Sequence, residues 1–395
     1  MGAPNHAGKD FDVIVYGASG YTGRLVAEYL DQRYGDDDSV SWAMAGRNED
    51  KLKAVRDEIE IDPSTPLVIA DGGDVKSLED MAARAKVVLT TVGPYQLYGD
   101  DLVRVCAEKG ADYVDLCGEP GWMRNMIDAH EATAKSSGAR IVFSCGFDSV
   151  PFDLGVYYLQ QKAKAETGAP CKDVQTVVRK MVGKFSGGTA ASLKATMAAA
   201  FKDPALVAIL KSPFALTPGF DGPKQPSSSK PRYYEPLDTW LAPFVMAPIN
   251  TKNVHRSNYL LGHSYGDDFT YAEMMMTGGG EDGEKRAAAV AQDNSLMSDD
   301  GPKPGEGPTK EEREAGHYDA LMVGQTADGQ EFRACVTGDR DPGYGSTSKM
   351  IAESALCLVA DRPETPGGVW TSAPAMGDAL VERLIKNAGL TFSYE

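Results

Sequence analysis

The chain has 395 residues, of which 42% are apolar and 25% charged, and its formal net charge is −17. That length exceeds one ordinary domain and predicts two. The acidic balance excludes nucleic acid as a partner, and no apolar run approaches the roughly 18 residues of a membrane-spanning helix.

The opening stretch MGAPNHAGKD has no apolar core and does not read as a signal peptide. FDVIVY (11–16) then reads as a strand, and apolar positions Leu25, Val26, Tyr29 and Leu30 predict a helix from Tyr21 to about Tyr34. The alternation continues through strands at 40–45, 66–70, 86–92, 112–116 and 140–145. Helical patterns separate them at 48–59, 75–85, 100–109 and 122–136. Strand and helix in turn predict an α/β unit, a Rossmann doubly wound parallel sheet, over 1–164. After about Lys164 the rhythm changes. Residues 172–183 read as a longer strand and 187–201 as a helix. Residues 211–250 are proline-rich and aperiodic, 255–277 hold strand-like runs, and 298–314 are a polar loop. HYDALMVGQTADGQEFRACVTG (317–338) predicts a hairpin turning at Asp-Gly. A second α+β domain is therefore expected over 165–340. The tail, 341–395, predicts two helices (346–361, capped by Ser346 or Thr347, and 376–389) that pack back on the first domain.

The six cysteines show no CxxC and no metal spacing, and none of the five histidines stands at ligand spacing. Reduced thiols, a cytoplasmic setting and no metal are expected.

The motif GASGYTG directly follows the first strand. A glycine turn feeding a helix N-terminus offers free N–H groups and a positive dipole end to a phosphate. Gly17 allows the tight turn, Gly20 lets the backbone approach a pyrophosphate, and Gly23 permits close helix–strand packing. Ser19 occupies the middle place, and Tyr21 and Thr22 open the helix. At the end of the second strand an NAD site carries a carboxylate; here AGRNEDK offers Arg47, with Lys51 nearby. A guanidinium there binds a 2′-phosphate, which favours NADP over NAD. Asp71 after the third strand is expected on the adenine side. Thr91, Gly93 and Pro94 in TTVGPYQLYG are expected near the pyrophosphate and nicotinamide ribose.

Several groups stand beyond strand ends, where open α/β sheets bind ligands: Tyr95, Cys117, Glu119 and Asp148. Tyr95 and Asp148 are the expected catalytic pair, because hydride transfer needs a proton donor near the acceptor. Helix capping by Asp148 and Glu119, and packing of Cys117, remain open alternatives. Tyr158 and Lys162 form a Tyr-xxx-Lys pair that chance alone accounts for.

The motifs DFDVIVYGASGYTGRLVAEYL, AGRNEDKL, TTVGPYQLYGDDLVRVCAEKGADYVDLCGEP and GFDSVPFDLGVYYL, continuing into SGGTAASL, APFVMAPINTKNVHRSN and GYGSTSKMIAESALCL, resemble the saccharopine dehydrogenase-like oxidoreductases. Within them the chain is most similar to the trans-acting enoyl reductases. The resemblance covers nearly the whole chain. It implies a Rossmann domain, a mixed α+β domain inserted before the tail, and an NAD(P)H-linked reductase. The chemistry implied is reduction of a C=C bond in an acyl, polyketide or other lipid-like chain, with a synthase or acyl carrier as partner. Saccharopine-type C=N chemistry and a non-catalytic, lipid-associated NADP-binding protein are the alternatives. Homodimerisation and peripheral membrane contact stay open.

Overall fold

A computed structural model describes residues 6–184, 187–293, 295, 307–362 and 364–395. The first half alternates as the sequence predicts: β1 (Phe11–Tyr16), α1 (Tyr21–Tyr34), β2 (Trp42–Gly46), α2 (Glu49–Glu58), β3 (Leu67–Ile69), α3 (Val75–Arg84) and β4 (Ala85–Thr90). There follow α4 (Tyr95–Tyr98), α5 (Asp100–Lys109), β5 (Asp112–Val114), α6 (Pro120–Ser137), β6 (Arg140–Val142) and α7 (Val150–Thr167).

The second half runs β7 (Cys171–Val182), α8 (Gly187–Lys202), α9 (Pro204–Lys211), β8 (Arg232–Tyr234), β9 (Thr239–Pro243), α10 (Ala247–Leu260), β10 (Thr270–Gly278) and α11 (Gly280–Gln292). It closes with α12 (Lys310–Ala315), β11 (His317–Thr326), β12 (Glu331–Gly338), α13 (Thr347–Leu356), β13 (Gly368–Trp370), α14 (Ser372–Arg383) and β14 (Leu390–Tyr394).

The first sheet has the order β13-β6-β5-β4-β1-β2-β3, and all its pairs are parallel. Six of these strands follow the doubly wound order, which reverses at β1. Side chains alternate between its faces. Val13 and Val15 join Val26 and Leu30 of α1 in one core, while Ile14 and Tyr16 join Val88 and Val103 in the other.

The second sheet has the order β14-β12-β11-β7-β10-β9-β8, with β7 and β10 parallel and the other pairs antiparallel. The hairpin β11–β12 turns at the expected place, with Gly329 at φ +86°. The chain is thus α/β, with a parallel Rossmann-like sheet and a second, mixed sheet.

Two departures from the sequence reading have physical causes. Residues 255–260 are helix rather than strand, because α10 is buried on every side and carries no single apolar stripe. The tail adds a strand to each sheet, and short edge strands leave little periodic signal. Tyr158 and Lys162 are used structurally: Tyr158 stacks on Tyr394 of β14 at 4.3 Å, with Lys162 over the same ring.

The starts of β5 and β6 are tied by Asp112 and Arg140, both fully buried. Arg140 Nε donates to both Asp112 oxygens at 3.0 Å, and its backbone N–H adds a bond of 2.8 Å. Removing one partner of such a pair strands the other charge in the core. Asp112→Ala is expected to destabilise the fold by about 3–5 kcal/mol in denaturant titration.

Candidate functional site: a dinucleotide cradle beside a buried acid cluster

The turn after β1 is built for an anion. Gly17 has φ +91°, and a Cβ there would lie 2.8 Å from Val92 and 2.9 Å from Thr91 Oγ1. A Cβ on Gly23 would meet the Gly17 carbonyl at 2.1 Å, so only glycine lets α1 start this close to the turn. Gly20 is the N-cap of α1 and no side chain caps it, which leaves the first N–H groups open to a ligand. Ser19 and Thr22 stand half-buried along this turn.

Thr91 donates its backbone N–H to Tyr16 O at 3.0 Å, so the β4 loop with Gly93 and Pro94 lies against the glycine turn. Tyr21 differs from expectation in its side chain. Its hydroxyl bonds Pro308 O and accepts from Arg313 at 3.0 Å, and its ring meets Tyr344 edge-on. Only its backbone N–H is left for a phosphate.

On the adenine side, Arg47 and Asp71 both act electrostatically on the Tyr16 hydroxyl, which accepts the Gly72 N–H. Arg47 is exposed, and the neighbouring Glu49 pairs with Lys53 at 2.6 Å. Asp71 holds its own turn, accepting from the Gly73 N–H at 3.0 Å. Lys51 is exposed, and its backbone N–H satisfies the Asn48 cap of α2.

The groups beyond β4, β5 and β6 sort sharply. Glu119 accepts from the Tyr95 and Gln96 N–H groups at 3.0 and 2.8 Å and from Ser192 of α8 at 2.9 Å, so it caps α4. The Cys117 sulfur accepts from the Glu119 N–H, and burial pushes its thiol up. Tyr95 is buried. Its hydroxyl donates to Thr90 O and accepts from the Leu116 N–H at 3.1 Å, and burial pushes it well up. A phenol committed to two backbone groups in the core is not presented to a substrate. The exposed Tyr98 is not in this cluster.

Asp148 is the opposite case. The residue is half-buried, desolvation alone pushes its carboxyl up to about 7, and its Oδ1 is buried with no hydrogen-bond partner. It also does not cap α7, whose N-cap is Ser149. Around it stand residues that sequence reasoning missed. Asn253 of α10 donates to Ser149 Oγ at 2.8 Å, and Asn250, one turn earlier, donates to Glu273 of β10 at 2.7 Å. The only sequence signal for them was the segment APINTKNVHRSN, whose polar residues proved buried.

A family model described as the saccharopine dehydrogenase NADP binding domain matches residues 13–142. A Mycobacterium tuberculosis (strain ATCC 25618 / H37Rv) protein, provisionally named a trans-acting enoyl reductase, is 41% identical over 95% of this chain and 96% of its own. The chain belongs to the trans-acting enoyl reductase family of saccharopine dehydrogenase-like proteins. A trans-acting enoyl reductase of Mycobacterium ulcerans (strain Agy99) is 37% identical, covering 96% of each chain. The L-Glu-forming saccharopine dehydrogenase of Saccharomyces cerevisiae superposes with a TM-score of 0.55 over 97% of this chain and 99% of its own. At 10% identity that likeness concerns the fold alone. This family member is an NADP-dependent oxidoreductase, and NADP(H) is its cofactor. The open glycine turn fits the pyrophosphate of that group.

Two outcomes follow. Arg47→Ala is expected to weaken NADPH binding about 10- to 100-fold while leaving NADH binding unchanged, by fluorescence titration. The second concerns pH. Burial raises Asp115 and Asp148 to about 7, Asp153 to about 6 and Glu273 to about 8. An acid raised on folding binds its proton more tightly in the native state, so stability is lost as pH climbs from the ordinary carboxylate range through the raised value. Melting temperature is expected to fall between about pH 5 and pH 8, and Asp148→Asn to flatten that fall.

Proposed function

We propose that this protein reduces a carbon–carbon double bond conjugated to a carbonyl in an acyl, polyketide or other lipid-like chain. NADPH supplies the hydride when bound. The glycine turn 17–23 holds the pyrophosphate, Arg47 the 2′-phosphate, and Ser19, Thr22, Asp71, Thr91, Gly93 and Pro94 line its path. Asp148 holds the proton destined for the carbon next to the carbonyl. The carrying observation is that Asp148 stands half-buried beyond β6, is raised by desolvation, and has one buried oxygen committed to nothing. A carboxylic acid kept neutral near pH 7 is what such a step asks of a donor.

The lipid-like substrate draws support from α8 and α9. The sequence PALVAILK forms α9, yet none of its residues is buried. Phe201 is 94% exposed, and Leu97, Tyr98 and Met197 are exposed as well. Several other apolar residues belong to the core instead: Phe214, Phe244 and Met274 are buried. The relatives' trans-acting names support an acyl chain delivered by a synthase or carrier. No helix among the described residues is long and apolar enough to cross a membrane. All six cysteines are free and buried, which favours a reducing, cytoplasmic setting.

Oxidation of NADPH with enoyl thioesters, followed by absorbance, tests the reading. Asp148→Asn is expected to lower kcat by about 10²–10⁴ with NADPH binding unchanged. No consumption of NADPH with any enone, acyl or isoprenoid, would sink it.

A further inference from the structure

Asp148 does not stand alone. Glu273, in the middle of β10, is a fully buried carboxyl at the same junction. Its Oε1 accepts from Asn250 Nδ2 at 2.7 Å, and its Oε2 lies 3.0 Å from the Tyr271 hydroxyl. That hydroxyl lies 3.0 Å from Thr176 Oγ1 of β7, and Thr176 is also the register partner of Glu273.

Helix α10 joins the two acids. Asn250 and Asn253 are three residues apart and share one helix face. Asn250 binds Glu273, and Asn253 binds Ser149, the residue next to Asp148. The charge of Asp148 acts on Glu273, so the two carboxyls are electrostatic neighbours.

Three oxygens at this place are buried without a hydrogen-bond partner: Asp148 Oδ1, Asn250 Oδ1 and Asn253 Oδ1. Buried acceptors left open are costly unless a donor meets them, and a single water meets two to four such groups. The titratable groups acting here are Asp148 itself, Tyr271 on the same strand, and Asp153 of α7, whose charge reaches Tyr271. The basic residues of α10 are turned to other partners. Lys252 Nζ donates to Leu210 O and Pro248 O, and His255 packs on Phe214 at 4.6 Å. With no cation bonded to either acid among the described residues, desolvation disfavours the charged form of both.

We infer that Glu273 is the proton-supplying residue for Asp148, through a water held by Asn250 and Asn253. The inference rests on the reductase reading above. Hydride adds to the β carbon, the Asp148 O–H bond breaks, and its proton forms the new bond at the α carbon. Asp148 is left as a carboxylate. The Glu273 O–H bond then breaks, the proton passes through the water to Asp148, and solvent returns a proton to Glu273. The cycle consumes one NADPH and one proton per double bond.

Glu273→Gln tests this, because the amide keeps the shape and the contacts with Asn250 and Tyr271 but has no proton to give. At about pH 6, below the raised value of Asp148, that acid starts protonated, so the first turnover of Glu273→Gln, read by stopped-flow NADPH absorbance, is expected to match wild type. Later turnovers are expected to slow by at least about tenfold, whereas Asp148→Asn slows the first turnover too. A steady-state rate within about twofold of wild type, or a first turnover slowed equally, overturns the inference. A parallel measurement needs no substrate: the infrared band of a protonated carboxyl at neutral pH is expected to weaken in Glu273→Gln. No change in that band also overturns it. Wild type that oxidises no NADPH, with the band change intact, overturns the reductase reading while the acid cluster stands.

Discussion

One buried carboxylate, Glu353, holds the tail of the chain to its beginning. It accepts from Tyr29 and Tyr34 of α1 at 2.6 and 2.7 Å, from Arg383 Nε of α14 at 2.7 Å and from Asn387 at 3.1 Å. A fully buried charge is tolerated only when its lone pairs are met, and here four donors meet it. The bond set fixes α1 against α13 and α14. Helix α1 begins at the glycine turn, so its placement decides where the open N–H groups point. The same tail then supplies β13 to the first sheet and β14 to the second. Asp153 adds a second tie at the junction by accepting from Ser372 and the Ala373 N–H at 2.9 and 2.8 Å.

With the two sheets locked, the junction between them becomes the place where polar groups are forced inside. Most are satisfied there. Arg256 donates to Leu216 O and Val369 O, and Ser257 meets Thr371. Asp115 accepts three bonds on its two carboxyl oxygens, from the Tyr113 hydroxyl and the Cys117 and Ser144 N–H groups, and so stitches β5 to β6. The contrast with Asp148 is what gives that residue meaning. A native core rarely leaves a carboxyl oxygen open, and where it does, a ligand or water is the ordinary explanation.

How much of this was legible depended on distance along the chain. The glycine turn, Arg47 and the six-strand rhythm are local patterns, and backbone conformation at Gly17 and Gly23 depends on neighbours in sequence. Asn250 and Glu273 carry no local pattern. They matter because β7 and β10 pair in parallel and bring Thr176 opposite Glu273, a contact only the folded sheet creates. The helix bearing Asn250 and Asn253 is buried all round, so amphipathic periodicity is silent over it. Tyr95 failed for the reverse reason: its position beyond a strand end was right, but the side chain folds back onto Thr90 O and the Leu116 N–H. Spacing places a residue at an edge; only packing decides which way its hydroxyl goes.

The fate of the cations separates the two chemistries that the family accommodates. A saccharopine-type adduct carries several carboxylates and needs free guanidinium or ammonium groups facing the site. Arg179 is bound to Asp319 at 2.8 Å and to Glu395 at 2.7 Å. Lys184 pairs with Glu312, and Arg256 and Lys252 are spent on backbone carbonyls. Beside Asp148 stand a second acid, Glu273, and two amides, Asn250 and Asn253. Once either acid ionises, a polyanionic substrate would meet like charge there. A neutral, elongated acyl chain meets no such penalty, and its conjugated carbonyl is the one polar feature that a protonated carboxyl can both bind and supply.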